Sequence, residues 1–96
     1  MPPPDLTVHD EPAESRYTLR LGEQVVGLAD YSIDGDVVTV PHVETNPAYR
    51  GRGFAGVLMD GVIASIRAQN RQIRPLCSFA ASHMQDRPES HDLVVV

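Results

Sequence analysis

The segment Arg50–Ala55 has the composition of an anion-binding loop, with two arginines and two glycines in six residues. It lies between a β-rich stretch, residues 36–45, and the most regular helical pattern of the chain. Gly51 and Gly53 permit backbone conformations that let a ligand approach closely. The first N–H groups of the following helix have no intrahelical partner and lie at the positive end of its dipole. We therefore expect a phosphate-bearing ligand here; a tight turn without a ligand is the alternative.

His42 and Glu44 are candidates for proton transfer next to this loop. They are two residues apart on a predicted strand, so their side chains point to the same face. A carboxylate that is partly removed from water can accept a proton directly or through a water molecule. Glu44 is alternatively a solvent-facing residue or a partner for Arg50. His42 is either a second base or a histidine whose hydrogen bonds are satisfied beneath the loop.

Cys77 and His83 are the remaining reactive candidates. Cys77 is the only cysteine, and it precedes a predicted helix N-terminus, where a thiolate is stabilised. It is a nucleophile, a ligand contact or a small core residue. His83 is either an acid or a surface residue. The histidines show no pair at an i, i+4 ligand interval, so the sequence predicts no metal site.

Three strands precede the loop. They are predicted at 16–21, 24–33 and 36–45, with tight turns at Gly22-Glu23 and Asp34-Gly35 and a candidate bulge at Gly27. The helix, 54 to about 69, carries an apolar stripe that should pack on the sheet. The stripe consists of Phe54, Leu58, Val62 and Ile66, flanked by Val57, Met59 and Ile63.

A strand at 73–77 and a second helix at 79–86 follow. Pro75 restricts the strand to an edge or a splayed position, Ser78 is the expected N-cap, and Pro88 ends the helix. The tail 92–96 either pairs as a last strand or docks. The order predicts an α+β (mixed α/β) fold, an antiparallel β-meander followed by β-α-β-α.

Composition limits the classes of function. The 96 residues fit one domain, 16–96, preceded by a flexible arm, 1–15, that contains Pro2-Pro3-Pro4, with a short edge strand at 6–9 as an option within the arm. The net charge of −5 argues against a nucleic-acid binder. Neither a membrane span nor a signal peptide is expected, and a single cysteine fits a reducing compartment. We expect a soluble, cytoplasmic protein, and nothing in the sequence requires a dimer, so we expect a monomer.

These motifs resemble those of GCN5-related (GNAT) N-acetyltransferases, and more closely a minimal, short-chain branch of that superfamily. Its signature, Arg/Gln-x-x-Gly-x-Gly/Ala, is matched here by Arg50, Gly53 and Ala55. The short branch carries a His-x-Glu strand before the loop and a Pro-x-Cys-x-Phe segment after the helix. The corresponding residues are His42-Val43-Glu44 and Pro75-Leu76-Cys77-Ser78-Phe79. The resemblance covers roughly residues 16–92.

The resemblance implies a GNAT-like acyl-CoA N-acyltransferase fold with splayed strands, and transfer of an acetyl group from acetyl-CoA to an amine. It implies that the loop amides hold the pyrophosphate of the cofactor and that strand residues pair with its pantetheine arm. The implied cofactor contacts are Val43, Thr45, Arg50, Gly51, Arg52, Gly53, Phe54, Ala55, Cys77 and Phe79.

For the reaction, the resemblance implies direct attack of the amine on the thioester. Glu44 or His42 would remove the ammonium proton, and Cys77 or His83 would assist departure of the thiolate; related sequences often have a tyrosine where this chain has His83. The acceptor would be a small-molecule or protein amine. The alternative to an enzyme is a non-catalytic module or sensor that binds CoA or acyl-CoA. A third possibility is a structural domain whose glycine turn binds no ligand.

Overall fold

The fold is a five-stranded sheet with two α-helices, confirming the predicted α+β class. A computed structural model describes residues 5–95. The strands lie in the order β1 to β5, with β1 to β4 antiparallel and β5 parallel to β4. The strands are β1 (Leu6–Glu11), β2 (Arg16–Leu21), β3 (Gln24–Asp34), β4 (Val37–Thr45) and β5 (Gln72–Pro75). The helices are α1 (Phe54–Ala68) and α2 (Ser78–Gln85), with 3-10 turns at Pro12–Glu14, Pro47–Tyr49 and Pro88–Leu93.

The core lies between the sheet and α1. The predicted stripe of α1 is confirmed, because Leu58, Val62 and Ile66 are fully buried and Phe54 nearly so. The stripe belongs to one apolar cluster with residues from β2 to β5 and α2. The helices also contact each other, and none in the described part of the chain is long and apolar enough to cross a membrane.

Strand β1 is a full edge strand, longer than the short one considered at residues 6–9. It pairs with β2 from Leu6 to Glu11, and its Val8 side chain packs against α1 at Gly61. The triple proline lies outside the described residues, and the division of the chain at residue 16 stays a prediction.

Gly61 provides a stability prediction for this contact. A Cβ at Gly61 would lie 2.5 Å from Cγ2 and 2.7 Å from Cβ of Val8, so Gly61→Ala forces α1 and β1 apart. Overpacking of this kind costs about 1–3 kcal/mol, which exceeds the ~1 kcal/mol that alanine gains over glycine in a helix. We expect Gly61→Ala to unfold at a lower urea concentration than the wild type. Gly56→Ala on the same helix is the control, because its Cβ would approach no atom closer than 3.4 Å. Equal or higher stability of Gly61→Ala would show that β1 is not held against α1.

A bulge in β4 determines which face the proton-transfer candidates occupy. Asp30 pairs with His42 and Ser32 with Thr39, so Tyr31 lies opposite two residues, Val40 and Pro41. Proline lacks the N–H that a regular ladder requires, and bulges accommodate it. The buried Val40 points toward the helices. The extra residue turns His42 to the opposite, exposed face.

A second bulge affects β3. Leu19 pairs with Gly27 and Arg20 with Val25, so the extra residue is Val26, next to the predicted position at Gly27. Val26 is fully buried, whereas Val25 is exposed on the face of the sheet that it shares with Arg20.

Strands β4 and β5 splay, as the sequence predicted. They pair only from Val37 to Val40, and the carbonyl of Val40 then accepts hydrogen bonds from the N–H groups of Leu76 and Cys77. Within residues 5–95, the rest of β4 therefore pairs with no strand on its β5 side. Helix α2 begins at Ser78 with Cys77 at the N-cap position, one residue earlier than predicted.

The tail docks rather than forming a full strand. Val94 makes an isolated parallel bridge with Ile73. The guanidinium of Arg67 on α1 donates hydrogen bonds to the Asp92 carboxylate, both 3.0 Å long, and to the Glu89 carbonyl. Val96, the last residue of the predicted tail, lies outside the described residues.

Candidate functional site

A cavity of about 600 Å³ lies where β4 and β5 separate. The end of β4, the glycine loop, the first turn of α1 and one residue of α2 enclose it. The lining residues are His42, Val43, Glu44, Thr45, Tyr49, Arg50, Gly51, Gly53, Phe54, Ala55, Gly56 and Phe79. Ten of the predicted site residues, Glu44 included, therefore line the cavity. Tyr49 and Gly56 line it as well, although the sequence did not predict them.

The loop has the geometry of an anion site. Gly51 and Gly53 have φ values of 80° and 76°, in the left-handed region that favours glycine. Gly53 is the N-cap of α1, and no side chain of the described residues caps the helix. The first helical hydrogen bond is 3.3 Å long and runs from the N–H of Val57 to the carbonyl of Gly53. The N–H groups of the first turn consequently lie at the cavity wall without a helical acceptor.

The two loop arginines differ in position. Arg50 lines the cavity. The guanidinium carbon of Arg52 lies 5.4 Å from the centre of the Tyr49 ring, and Arg52 is absent from the lining. Tyr49 in turn stacks on Phe54, with the ring centres 5.7 Å apart. Arg52 therefore packs on an aromatic side chain that forms the wall, while Arg50 belongs to the cavity lining itself.

The free edge of β4 presents backbone groups to the same cavity. The N–H of Asn46 donates to Val26 on β3, so the ladder alternation turns the groups of Glu44 toward β3 and those of Val43 and Thr45 away from it. These outward N–H and C=O groups lie where β5 has diverged. They are suitable partners for an extended ligand with amide groups.

His42 and Glu44 form a hydrogen-bonded pair at the cavity margin. Nε2 of His42 lies 2.9 Å from Oε2 of Glu44, and their side chains are 51% and 55% exposed. The prediction of a shared face is therefore confirmed. Of the alternatives that the sequence left open, Glu44 is the solvent-facing residue, and His42 is exposed and does not lie beneath the loop.

Cys77 and His83 do not reach the cavity lining. Cys77 is half-buried and packs against the core. His83 is buried, with 7% of its side chain exposed, so its interpretation as a surface residue is wrong. Its ring lies directly behind the wall: its Cε1 would be 3.4 Å from a Cβ at Gly56, and it packs on Phe79 with the ring centres 5.7 Å apart.

His83 is held by Asp60, a residue that the sequence reasoning did not identify. Oδ1 of Asp60 lies 2.8 Å from Nε2 of His83 and accepts a 2.9 Å hydrogen bond from Nε of Arg87. Partial burial opposes ionisation of Asp60, but the hydrogen bonds from His83 and Arg87 outweigh it and lower the pKa of the carboxyl. Asp60 lies on the side of α1 opposite the apolar stripe, and its partners are 23 and 27 residues away, so the sequence gives no local signal for the contact.

This lowered pKa predicts a pH dependence of stability. A carboxyl whose pKa is depressed by folding contributes stability above its unfolded pKa of about 3.9, and the contribution is lost as the pH falls through the folded pKa. We expect Asp60→Asn to reduce the free energy of unfolding at neutral pH, and the difference from the wild type to shrink on acidification. Urea titrations of both proteins, from neutral pH down through the pKa of Asp60, test this expectation. Asp36→Asn, in an exposed turn, is the control; a pH-independent deficit in Asp60→Asn would contradict the expectation.

Comparisons with known proteins agree with this architecture. A family model described as GCN5-related N-acetyl-transferase matches residues 16–93. The chain is similar to the NMR structure of a GCN5-like protein from Staphylococcus aureus, with a TM-score of 0.67, 19% identity, and coverage of 96% of this chain and 90% of the other. No curated protein matches the chain.

A second similar structure is the ribosomal-protein-S18-alanine N-acetyltransferase from Escherichia coli. The TM-score is 0.65 at 11% identity, with 91% of this chain and 54% of the other covered. The present chain thus spans about half of that enzyme. At these identities both likenesses concern the fold.

Proposed function

The chain belongs to the GCN5-related N-acetyl-transferase family, and from this we propose that it transfers the acetyl group of acetyl-CoA to a primary amine. One observation carries the proposal. A single cavity joins the uncapped N-terminus of α1, which suits a pyrophosphate, to the free edge of β4 and the His42–Glu44 pair. An anion site and a candidate base are thereby brought to one cavity.

The residues present fit the cofactor. The amides of the first turn of α1 and the charge of Arg50 would hold the pyrophosphate. A Cβ built at Gly51 or Gly53 would meet no atom within 4 Å, so the space beside the loop is open to a ligand. The outward backbone groups of Val43 and Thr45 would pair with the amides of the pantetheine arm, and Phe79 would contact it from α2.

Acetyl-CoA supplies an activated acetyl group as a thioester. The amine nitrogen attacks the carbonyl carbon, so a C–N bond forms as the C–S bond breaks, and the products are an N-acetyl amine and coenzyme A. The nitrogen loses two protons: the ammonium proton before attack, which is released, and a second one after addition, which is balanced by the proton that the thiol gains. Glu44 would accept the ammonium proton, and His42, hydrogen-bonded to it and half exposed, would exchange that proton with solvent.

Neither Cys77 nor His83, the two residues expected to assist departure of the thiolate, reaches the cavity lining. We propose that water supplies the proton to the departing thiolate, because Asp60 holds His83 behind Gly56 and Phe79. Cys77 is then a core residue, because its half-buried position packs against the apolar cluster.

Two measurements test the proposal. Calorimetric titration with coenzyme A reports cofactor binding, and detection of free thiol with n-butylamine and acetyl-CoA reports transfer, with mass spectrometry of the acetylated amine as confirmation. Absence of binding at millimolar cofactor would reject the cofactor site. Binding without acetylated product would instead favour a CoA-binding module, for which the exposure of both Glu44 and His42 is the supporting observation.

A further inference from the structure

A second, smaller cavity lies on the other side of Glu44. Its volume is about 280 Å³, and it is formed by the first half of β3 and the segment that follows β4. The side chains of Val25, Leu28 and Pro47 contribute to its wall, and Glu44 lines it as well as the larger cavity. Among the described residues, Glu44 is the only one common to both linings.

The bulges explain why these residues meet. Leu28 pairs with Glu44 and therefore shares its face of the sheet, opposite the helices. The extra residue Val26 places Val25 on that face too, where 44% of it is exposed. An apolar wall and a carboxylate consequently lie side by side at an otherwise exposed part of the sheet.

We propose that this cavity is the acceptor subsite, and that it takes a small primary amine with a short apolar substituent. The inference rests on the proposed function, since it assigns the second substrate of the same reaction. A base that takes a proton from an attacking amine must lie within hydrogen-bond reach of that amine, directly or through one water, where the amine also meets the thioester. Glu44 occupies that position, with the cofactor cavity on one side and this cavity on the other.

The chemistry of the lining selects the substituent. Glu44 is the single ionisable residue in the lining, so it pairs with the reacting ammonium and leaves no partner for a second charge. Val25, Leu28 and Pro47 favour alkyl groups. The volume lies below the roughly 300 Å³ at which drug-sized ligands begin to fit, so the part of the acceptor that enters the cavity is limited to a short substituent.

The test compares n-butylamine with 1,4-diaminobutane, which has the same number of carbons and a second ammonium. With saturating acetyl-CoA we expect kcat/KM to favour n-butylamine by about tenfold, because the second ammonium loses hydration without gaining a partner. Val25→Asp should reduce or invert this preference. Ile33→Asp is the matched control: Ile33 lies on the same strand with similar exposure, 46%, and lines neither cavity.

Binding gives a readout that does not depend on turnover. With ¹⁵N-labelled protein saturated with coenzyme A, n-butylamine should shift the amide signals of Val25–Leu28 and Asn46, and leave that of Ile33 in place. Val25→Asp should also keep the wild-type affinity for coenzyme A, because Val25 does not line the larger cavity.

The outcomes separate this inference from the proposed function. Acetylation of both amines with equal kcat/KM, or a preference for n-butylamine that Val25→Asp leaves unchanged, would overturn the subsite but not the proposed transfer reaction. Amide shifts at Val25–Leu28 without acetylation would support the subsite and reject transfer. Absence of both would reject both.

Discussion

Arg50→Glu is expected to weaken coenzyme A binding by about 30-fold or more, since a hydrogen bond to a charged group contributes about 1.5–3 kcal/mol and the reversed charge adds repulsion. Arg50 lines the cavity beside the uncapped turn of α1. The same change at Arg52 should weaken binding only about fivefold or less, because Arg52 packs on Tyr49 outside the lining and acts on the pyrophosphate through solvent, where added salt screens the charge. Calorimetry at two salt concentrations measures both effects.

The pair of variants is its own control. Each replaces one arginine of the same loop with the same residue, so the change in net charge is identical. Added salt should diminish the effect of Arg52→Glu more than that of Arg50→Glu. Equal losses of affinity would mean that the pyrophosphate senses only the total charge of the loop, and the distinction drawn from the cavity lining would be wrong.

The sequence could not make that distinction, because Arg50 and Arg52 look alike in the motif. What it did predict was local: the glycine turn, the apolar stripe of α1 and the restriction of β5 by Pro75 all follow from backbone preferences and periodicity. The direction of the Arg52 side chain depends instead on the Tyr49 ring, 5.4 Å away. Such contacts are decided by packing.

The faces of β4 show a second limit of sequence reasoning. Period-two alternation from the buried Val38 and Val40 would place His42 and Glu44 beneath the helices. The bulge opposite Tyr31 moves them to the exposed face. Pro41 is the sequence signal for it, because a proline within a paired strand indicates an edge or a bulge. His42 and Glu44 still share one face after this shift, because a shared face depends only on their two-residue spacing.

His83 illustrates a third limit. Helical periodicity on the short α2 does not reveal that its neighbour is Asp60 on α1, and a histidine without a visible partner is reasonably assigned to the surface. The structure instead buries His83 against Asp60 and Phe79. Contacts between residues 23 positions apart follow from the crossing of the two helices. They cannot be inferred from either helix alone.

Glu44→Gln is expected to lower kcat about 100-fold with n-butylamine while the affinity for coenzyme A changes less than about twofold; general base catalysis typically contributes 10²–10⁴-fold. The amide keeps the size of the side chain but cannot accept the ammonium proton. Glu44 lies at the margin of the cofactor cavity, away from the anion site at the loop, which explains the retained affinity. Thiol release and calorimetry measure the two quantities. His42→Gln should cost less than about tenfold, because His42 is proposed only to exchange the proton with solvent.

The choice of amine shows whether the lost activity concerns the proton. 2,2,2-Trifluoroethylamine is mostly neutral at neutral pH, so it needs no base to become nucleophilic, and the deficit of Glu44→Gln should be smaller with it than with n-butylamine. For the same reason the deficit with n-butylamine should narrow as the pH rises toward the pKa of that amine. If the deficit is the same for both amines and at every pH, Glu44 positions the acceptor and does not deprotonate it. If kcat is unchanged, Glu44 has no part in transfer, and the base must be sought elsewhere along the two cavities.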